Sequence, residues 1–211
     1  MKIAPSLLGA DFSKLGEELK SIEDFTDILH LDVMDNHFVP NISFGPAVIK
    51  ALRDKTKMIF DTHLMIENPG KYVDEYIKAG SDYITIHYEA EKDIIGTLRK
   101  IKASGAKAGV SFKPKTDISA DMDFLAECDL ILIMTVEPGF GGQEFIEAMV
   151  SKIKKAIEIK AKKNLSYLIS ADGGINDKTI GHVSGLLDIA VSGSYIFRHP
   201  DKKKAFVSLK K

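Results

Sequence analysis

The chain holds one cysteine, Cys128, among 211 residues. With no second thiol, no intrachain disulfide framework is expected, and the composition fits a reducing cytoplasm. Long apolar runs are missing as well: none approaches the roughly 20 residues that span a bilayer, and Met1-Lys2 leads straight into strand-like residues rather than a signal peptide. Charge of one sign is not in excess. Lysine and arginine total 29 against 30 acidic residues, a formal net charge of -1, so neither nucleic acid nor a membrane surface is an expected partner. The short basic tracts Lys202 to Lys204 and Lys210-Lys211 read as solvated tails. No linker, solenoid-type repeat or low-complexity segment breaks the chain. What remains is a cytoplasmic globular protein, 45% hydrophobic and 28% charged, expected as one domain over residues 1–211 with a single well-buried core.

Short apolar runs alternate with amphipathic segments. Ile3 to Pro5, Ile28 to Val33, Met58 to Met65, Tyr83 to His87, Ala108 to Phe112, Leu130 to Thr135, Tyr167 to Ala171 and Asp188 to Val191 make eight candidate strands. Between them apolar residues recur at helical spacing, as in Leu15, Leu19 and Ile22, or Tyr72, Val73, Tyr76 and Ile77, or Ile94, Leu98 and Ile101, or Met149, Ile153 and Ile157. Strict alternation implies a parallel sheet with right-handed crossovers, and about 26 residues per unit suits a closed (β/α)8 TIM barrel. An open doubly wound sheet is disfavoured, because Pro5-Ser6-Leu7-Leu8-Gly9 stands where a Gly-x-Gly-x-x-Gly would follow the first strand.

Polar residues inside those apolar runs carry the functional signal. His30 and Asp32 lie in the second strand, His63 in the third, and Asp172 ends the seventh. Side chains two apart on a strand share a face, so His30, Asp32 and Met34 project one way, as do His63 and Met65. A barrel gathers the C-terminal ends of its strands at one mouth, where two imidazoles and two carboxylates make a ligand set for one divalent cation, with zinc, iron(II), manganese and cobalt all suited. Such an ion polarises a carbonyl and stabilises an enediolate, while Asp32 and Asp172 from opposite sides of the mouth address the two faces of one carbon. The turns Gly139-Phe140-Gly141-Gly142, Gly173-Gly174 and Gly193-Ser194 follow three consecutive strands, and backbone amides unshielded by Cβ atoms suggest a phosphate clamp. Met34, Met65 and Met134 fall near strand ends, where thioethers either fill core or shield an enediolate from water. His87 is expected at the mouth, Asp35 and His37 in a hydrogen-bonded loop, and His182 and His199 at the surface.

Together the runs Ile3-Ala4-Pro5-Ser6-Leu7-Leu8, HLDVMDNHFVPN (30–41), His63-Leu64-Met65, MTVEPGFGGQEF (134–145), Asp172-Gly173-Gly174 and Gly193-Ser194 closely resemble the ribulose-phosphate 3-epimerase family, in order and nearly end to end. The resemblance implies a metal-dependent (β/α)8 isomerase of the pentose phosphate pathway that interconverts D-ribulose 5-phosphate and D-xylulose 5-phosphate. It further implies that His30, Asp32, His63 and Asp172 bind the metal, that Asp32 and Asp172 are the catalytic acid/base pair at C3, and that Ser6, with His63 and Asp172, contacts the substrate. Gly139, Phe140, Gly141, Gly142, Gly173, Gly174, Gly193 and Ser194 would hold the phosphate, and Met34, Met65 and Met134 would line the pocket. Family barrels often assemble, so a homo-oligomer is expected. Three departures stand out: Asn36 where many members have glycine, Ala171 for the usual valine, and Ser184-Gly185-Leu186-Leu187 for Ala-Gly-Ala. The first touches the loop over the substrate and bears on substrate preference.

The alternatives divide by residue pattern. A D-allulose 6-phosphate 3-epimerase would share the ligands and vary at the glycines that are intact here. A related aldolase or decarboxylase would carry Asp-x-Lys-x-x-Asp, and Asp32-Val33-Met34-Asp35 has no lysine. A non-catalytic sugar-phosphate-binding barrel would lose one acid/base carboxylate, and both are present.

Overall fold

The computed structural model describes residues 1–210; Lys211, the end of the expected charged tail, lies outside them. The strands are β1 (Lys2–Pro5), β2 (Ile28–Met34), β3 (Ile59–Met65), β4 (Tyr83–His87), β5 (Lys107–Phe112), β6 (Leu130–Met134), β7 (Leu168–Asp172) and β8 (Ile189–Ser192). Each falls within two residues of its expected bounds. They form one parallel sheet in the order β1-β8-β7-β6-β5-β4-β3-β2. The two ends of that order meet through a parallel bridge between Ser6 and His30, and the Thr26 hydroxyl lies 3.1 Å from the Ile3 carbonyl across the same seam. The sheet therefore curls into a nearly closed barrel.

The strand sequences dictate what each face does. Every residue of β2 is buried, as strands covered on both sides must be. Leu29, Leu31 and Val33 face outward into the large core beneath the helices, so the alternate residues Ile28, His30, Asp32 and Met34 face the barrel axis. The axis is plugged at one end by Ala4, Ile28, Leu130, Ile189 and Val191. Ascending from that plug, inward side chains turn polar, and register sets His30 beside Asp61, Asp32 beside His63 and Met34 beside Met65. The candidate site residues thus stand above an apolar floor.

The outer layer is built from α1 (Leu15–Lys20), α2 (Pro46–Arg53), α3 (Val73–Lys78), α4 (Ile94–Ala103), α5 (Met149–Lys162), α6 (Ser194–Phe197) and α7 (Lys202–Ser208). Helix α4 shows the logic: Asp93 caps it by accepting the Gly96 N–H, and Ile94, Leu98 and Ile101 form the buried stripe. Two crossovers depart from the expected repeat, since β5 and β7 are followed by short 3-10 turns, Asp123–Glu127 and Ile180–His182, instead of α-helices. Pro114, Asp117, Asp121 and Asp123 favour turns in the first of these segments, and Gly173, Gly174, Gly181 and Gly185 weaken helix formation in the second. Among the described residues no helix is long and apolar enough to cross a membrane.

Candidate active site

Strands β2, β3 and β7 deliver His30, Asp32, His63 and Asp172 to one cage, in which one ligand atom from each lies within 4.8 Å of all the others. Asp32 is its hub. Its Oδ1 lies 3.3 Å from His30 Nε2 and 3.1 Å from His63 Nδ1, and its Oδ2 accepts the Ser6 hydroxyl at 2.5 Å. Asp172 approaches from across the mouth, with Oδ2 3.9 Å from His30 Nε2 and 3.8 Å from His63 Nδ1. The histidines are fully buried, whereas the Asp172 side chain keeps 15% exposure toward the cavity.

The cage is electrostatically unbalanced. Burial and the neighbouring Asp32 charge push the Asp172 carboxyl up to about 7. Burial opposes charge on Asp32 too, but the charge of His30 and the close approach of both rings outweigh it and hold Asp32 well below the usual carboxylate range. Burial pulls His30 down, yet the charges of Asp32 and Asp61 overcome it and raise the ring well above its ordinary value. The site therefore wants positive charge between its carboxylates.

A cation meets that demand. The Asp61 carboxylate sits 2.8 Å from His30 Nδ1, and a carboxylate only accepts, so Nδ1 keeps its proton and a cation in the cage would displace only the one on Nε2. That Nε2 is buried without a hydrogen-bond partner and faces both aspartates. A ring nitrogen without its proton, fixed by a carboxylate behind it, is the usual outer support of a metal-ligating histidine. Two imidazole nitrogens and two carboxylate oxygens at this spacing can hold a divalent metal ion.

Above the cage opens a cavity of about 410 Å³, bounded by Ser6, Asp32, Met34, Met65, Met134 and Asp172 on one side. The other side is glycine backbone: Gly139 to Gly142, Gly173-Gly174 and Gly193-Ser194 all border it. The three loops interlock, since a Cβ on Gly141 would stand 3.3 Å from Ser194 Oγ and one on Gly174 would stand 2.5 Å from the Phe145 nitrogen. Phe140 is 54% exposed at the tip of its loop. A second tie crosses the mouth, where Asn41 Nδ2 donates to the Gly139 carbonyl at 2.7 Å.

Other sequence candidates fall elsewhere. His87 does not reach the cavity; it is fully buried behind His63. Asp35 is the expected loop organiser, accepting N–H groups of His37, Phe38 and Glu67. His182 is exposed and His199 half-buried. Two contributors escaped the sequence: Asp61, although it lies two residues before His63 on the same face, and Ser43, whose hydroxyl donates to the Asp32 carbonyl at 2.5 Å and for which no motif gives a signal.

Known proteins of this kind decide the affiliation. A sequence model described as the Ribulose-phosphate 3 epimerase family matches residues 2–197. The chain belongs to the ribulose-phosphate 3-epimerase family. Family members of that name from Bacillus subtilis and Treponema pallidum are 42% identical to it, over 100% of this chain and 98% of the relative in the first case and 92% and 90% in the second. Among solved structures, 3-hexulose-6-phosphate synthase from Salmonella typhimurium superposes with a TM-score of 0.71 at 20% identity, covering 99% of this chain and 96% of that one, a likeness of fold alone. Of the departures from the epimerase pattern, Asn36 sits at φ 58°, a left-handed conformation that glycine adopts freely and asparagine tolerates. The loop geometry is thus compatible with either residue.

Proposed function

We propose that this chain catalyses the interconversion of D-ribulose 5-phosphate and D-xylulose 5-phosphate by moving the C3 proton between Asp32 and Asp172. The observation that carries this is the pair itself: two carboxylates from β2 and β7 in one cage, one held low and the other raised to about 7. Opposed proton affinities are what an acid/base pair needs, since the ionised member takes the C3 proton from one face while the protonated member returns one to the other. The reverse reaction exchanges the roles. Ser6, bonded to Asp32, orients that carboxylate, and Met34, Met65 and Met134 present thioethers that keep water from the enediolate of the sugar.

His30, Asp32, His63 and Asp172 would hold one divalent ion, of zinc, iron(II), manganese or cobalt. When bound, it supplies Lewis-acid stabilisation of the charge that develops on the sugar oxygens. The glycine backbone across the cavity suits the phosphate, and the match to relatives named for this activity over nearly their whole length supports the substrate.

The test is turnover of D-ribulose 5-phosphate beside D-allulose 6-phosphate in heavy water, with metal content measured on the same sample. Deuterium is expected at C3 of xylulose 5-phosphate, and Asp172→Asn is expected to slow the reaction by about 10²-fold or more. Retained hydrogen at C3, or an Asn variant with more than about a tenth of the native rate, would rule out the two-carboxylate route.

A further inference from the structure

Behind His63 runs a line of side chains that the proton transfer does not use. His63 Nε2 lies 2.9 Å from His87 Nε2, and His87 Nδ1 lies 3.2 Å from Glu89 Oε2. Glu89 Oε1 accepts the Lys113 backbone N–H at 2.8 Å, and the Thr116 hydroxyl also donates to this carboxylate. The two rings stack at 4.9 Å, and Phe38 covers His87 at 4.8 Å while lying 3.6 Å beneath the Lys113 ammonium. Packing fixes both rings, so what remains open is which nitrogen of each carries the proton.

Asp32 accepts at the inner end of the line as well, 3.1 Å from His63 Nδ1, but the Ser6 hydroxyl already supplies that carboxylate, so the line is set from its outer end. An ionised Glu89 only accepts, so His87 carries its proton on Nδ1 and offers a lone pair at Nε2. The hydrogen between the rings therefore belongs to His63 Nε2. His63 is left with a bare Nδ1, 3.1 Å from Asp32 Oδ1 and 3.8 Å from Asp172 Oδ2. A lone pair facing two carboxylate oxygens is stable around a cation and repulsive otherwise.

We infer that Glu89 and His87 are positioning residues that set the tautomer of His63 and so prepare its Nδ1 as a metal ligand. The inference rests on the cation site proposed above. His30 receives the same instruction in one step from Asp61; His63, facing His87 rather than a carboxylate, receives it in two.

Glu89→Gln is the sharpest variant because it is isosteric. The glutamine carbonyl is retained by the Lys113 N–H, which turns the amide NH2 toward His87 Nδ1. Each ring then reverses, and His63 points a proton instead of a lone pair at Asp32. His87→Phe, which keeps the packing against Phe38, removes the acceptor for His63 altogether. The experiment measures zinc affinity of stripped protein by chelator competition for wild type and both variants. Side-chain ¹⁵N spectra of labelled histidine report the His63 tautomer in the zinc-free state.

The expected result is zinc binding about 10- to 100-fold weaker in each variant, with the His63 proton moved from Nε2 to Nδ1 in Glu89→Gln. Affinities within about threefold of wild type, or an unchanged His63 tautomer in whichever variant folds, would overturn the positioning role alone. A wild-type protein that binds no zinc would overturn the cation site as well, a separate outcome.

Discussion

Two carboxylates in one cage cannot both be charged without cost, and this chain divides the cost unequally between Asp32 and Asp172. Asp172 has its folded value near 7 against 3.8 for an ordinary aspartate, so folding favours its protonated form. The stability this contributes is complete below pH 3.8 and is lost as pH rises toward 7, at up to about 1.4 kcal/mol per pH unit. Metal-stripped wild type should therefore lose stability relative to metal-stripped Asp172→Asn across that window. Burial pushes His87 down to about 4, which acts in the opposite sense, but both proteins share it and it cancels in the difference. Urea titrations at pH 4.5, 6 and 7.5 check the sign, and a difference that is flat or grows with pH would refute it. The residues at issue were legible in the sequence because histidine and aspartate interrupt apolar runs at a period of two. Asp61 was not legible: a lone aspartate two residues before His63 gains meaning when strand register sets it beside His30.

Elements were legible where periodicity was strong: β2 falls within two residues of its expected bounds, and α5 forms around the expected Ile153, although its buried stripe runs on through Ala156 and Ile159 while Met149 and Ile157 are only partly buried. The crossovers after β5 and β7 were not, because turn-forming aspartates and glycines override a weak apolar pattern. Those glycines do not all serve the same end. Gly174 has φ 67°, and a Cβ there would stand 2.5 Å from the Phe145 nitrogen and 2.7 Å from its Cα, backbone that has no rotamer with which to retreat. Gly174→Ala should cost about 1–3 kcal/mol in stability and raise KM for the sugar phosphate by displacing the sixth loop. Gly181, in the 3-10 turn Ile180–His182, has open space around its Cβ position and is not among the positive-φ glycines. Gly181→Ala should be neutral or stabilising by about 0.4–1 kcal/mol. Denaturant midpoints of the pair test the distinction, and equal losses would show that conformation at Gly174 is not what the site requires.

At the scale of the whole barrel, closure is uneven. Strands β2 and β3 share seven register pairs, whereas among the described residues β1 meets β2 at the single bridge of Ser6 with His30. The cage sits on this seam. His30 and Asp32 come from β2, His63 from β3 and Asp172 from β7, while Ser6 at the end of β1 donates to Asp32. A cation held by these four side chains would tie β2 and β3 to β7 across the mouth, and through Ser6 would secure the strand whose pairing is thinnest. Because the unfolded chain has no such cage, binding stabilises only the native state, by about 4.1 kcal/mol at a free ion concentration of 1,000 Kd. For a chain of this length that corresponds to a fall in Tm on the order of 10 °C upon chelation, restored by adding the ion back. Asp172→Asn should shrink the shift while leaving the barrel folded. A Tm indifferent to stripping and restoring divalent ions would mean that the four side chains balance their charges with protons alone, as the raised value of His30 and the half-neutral Asp172 permit.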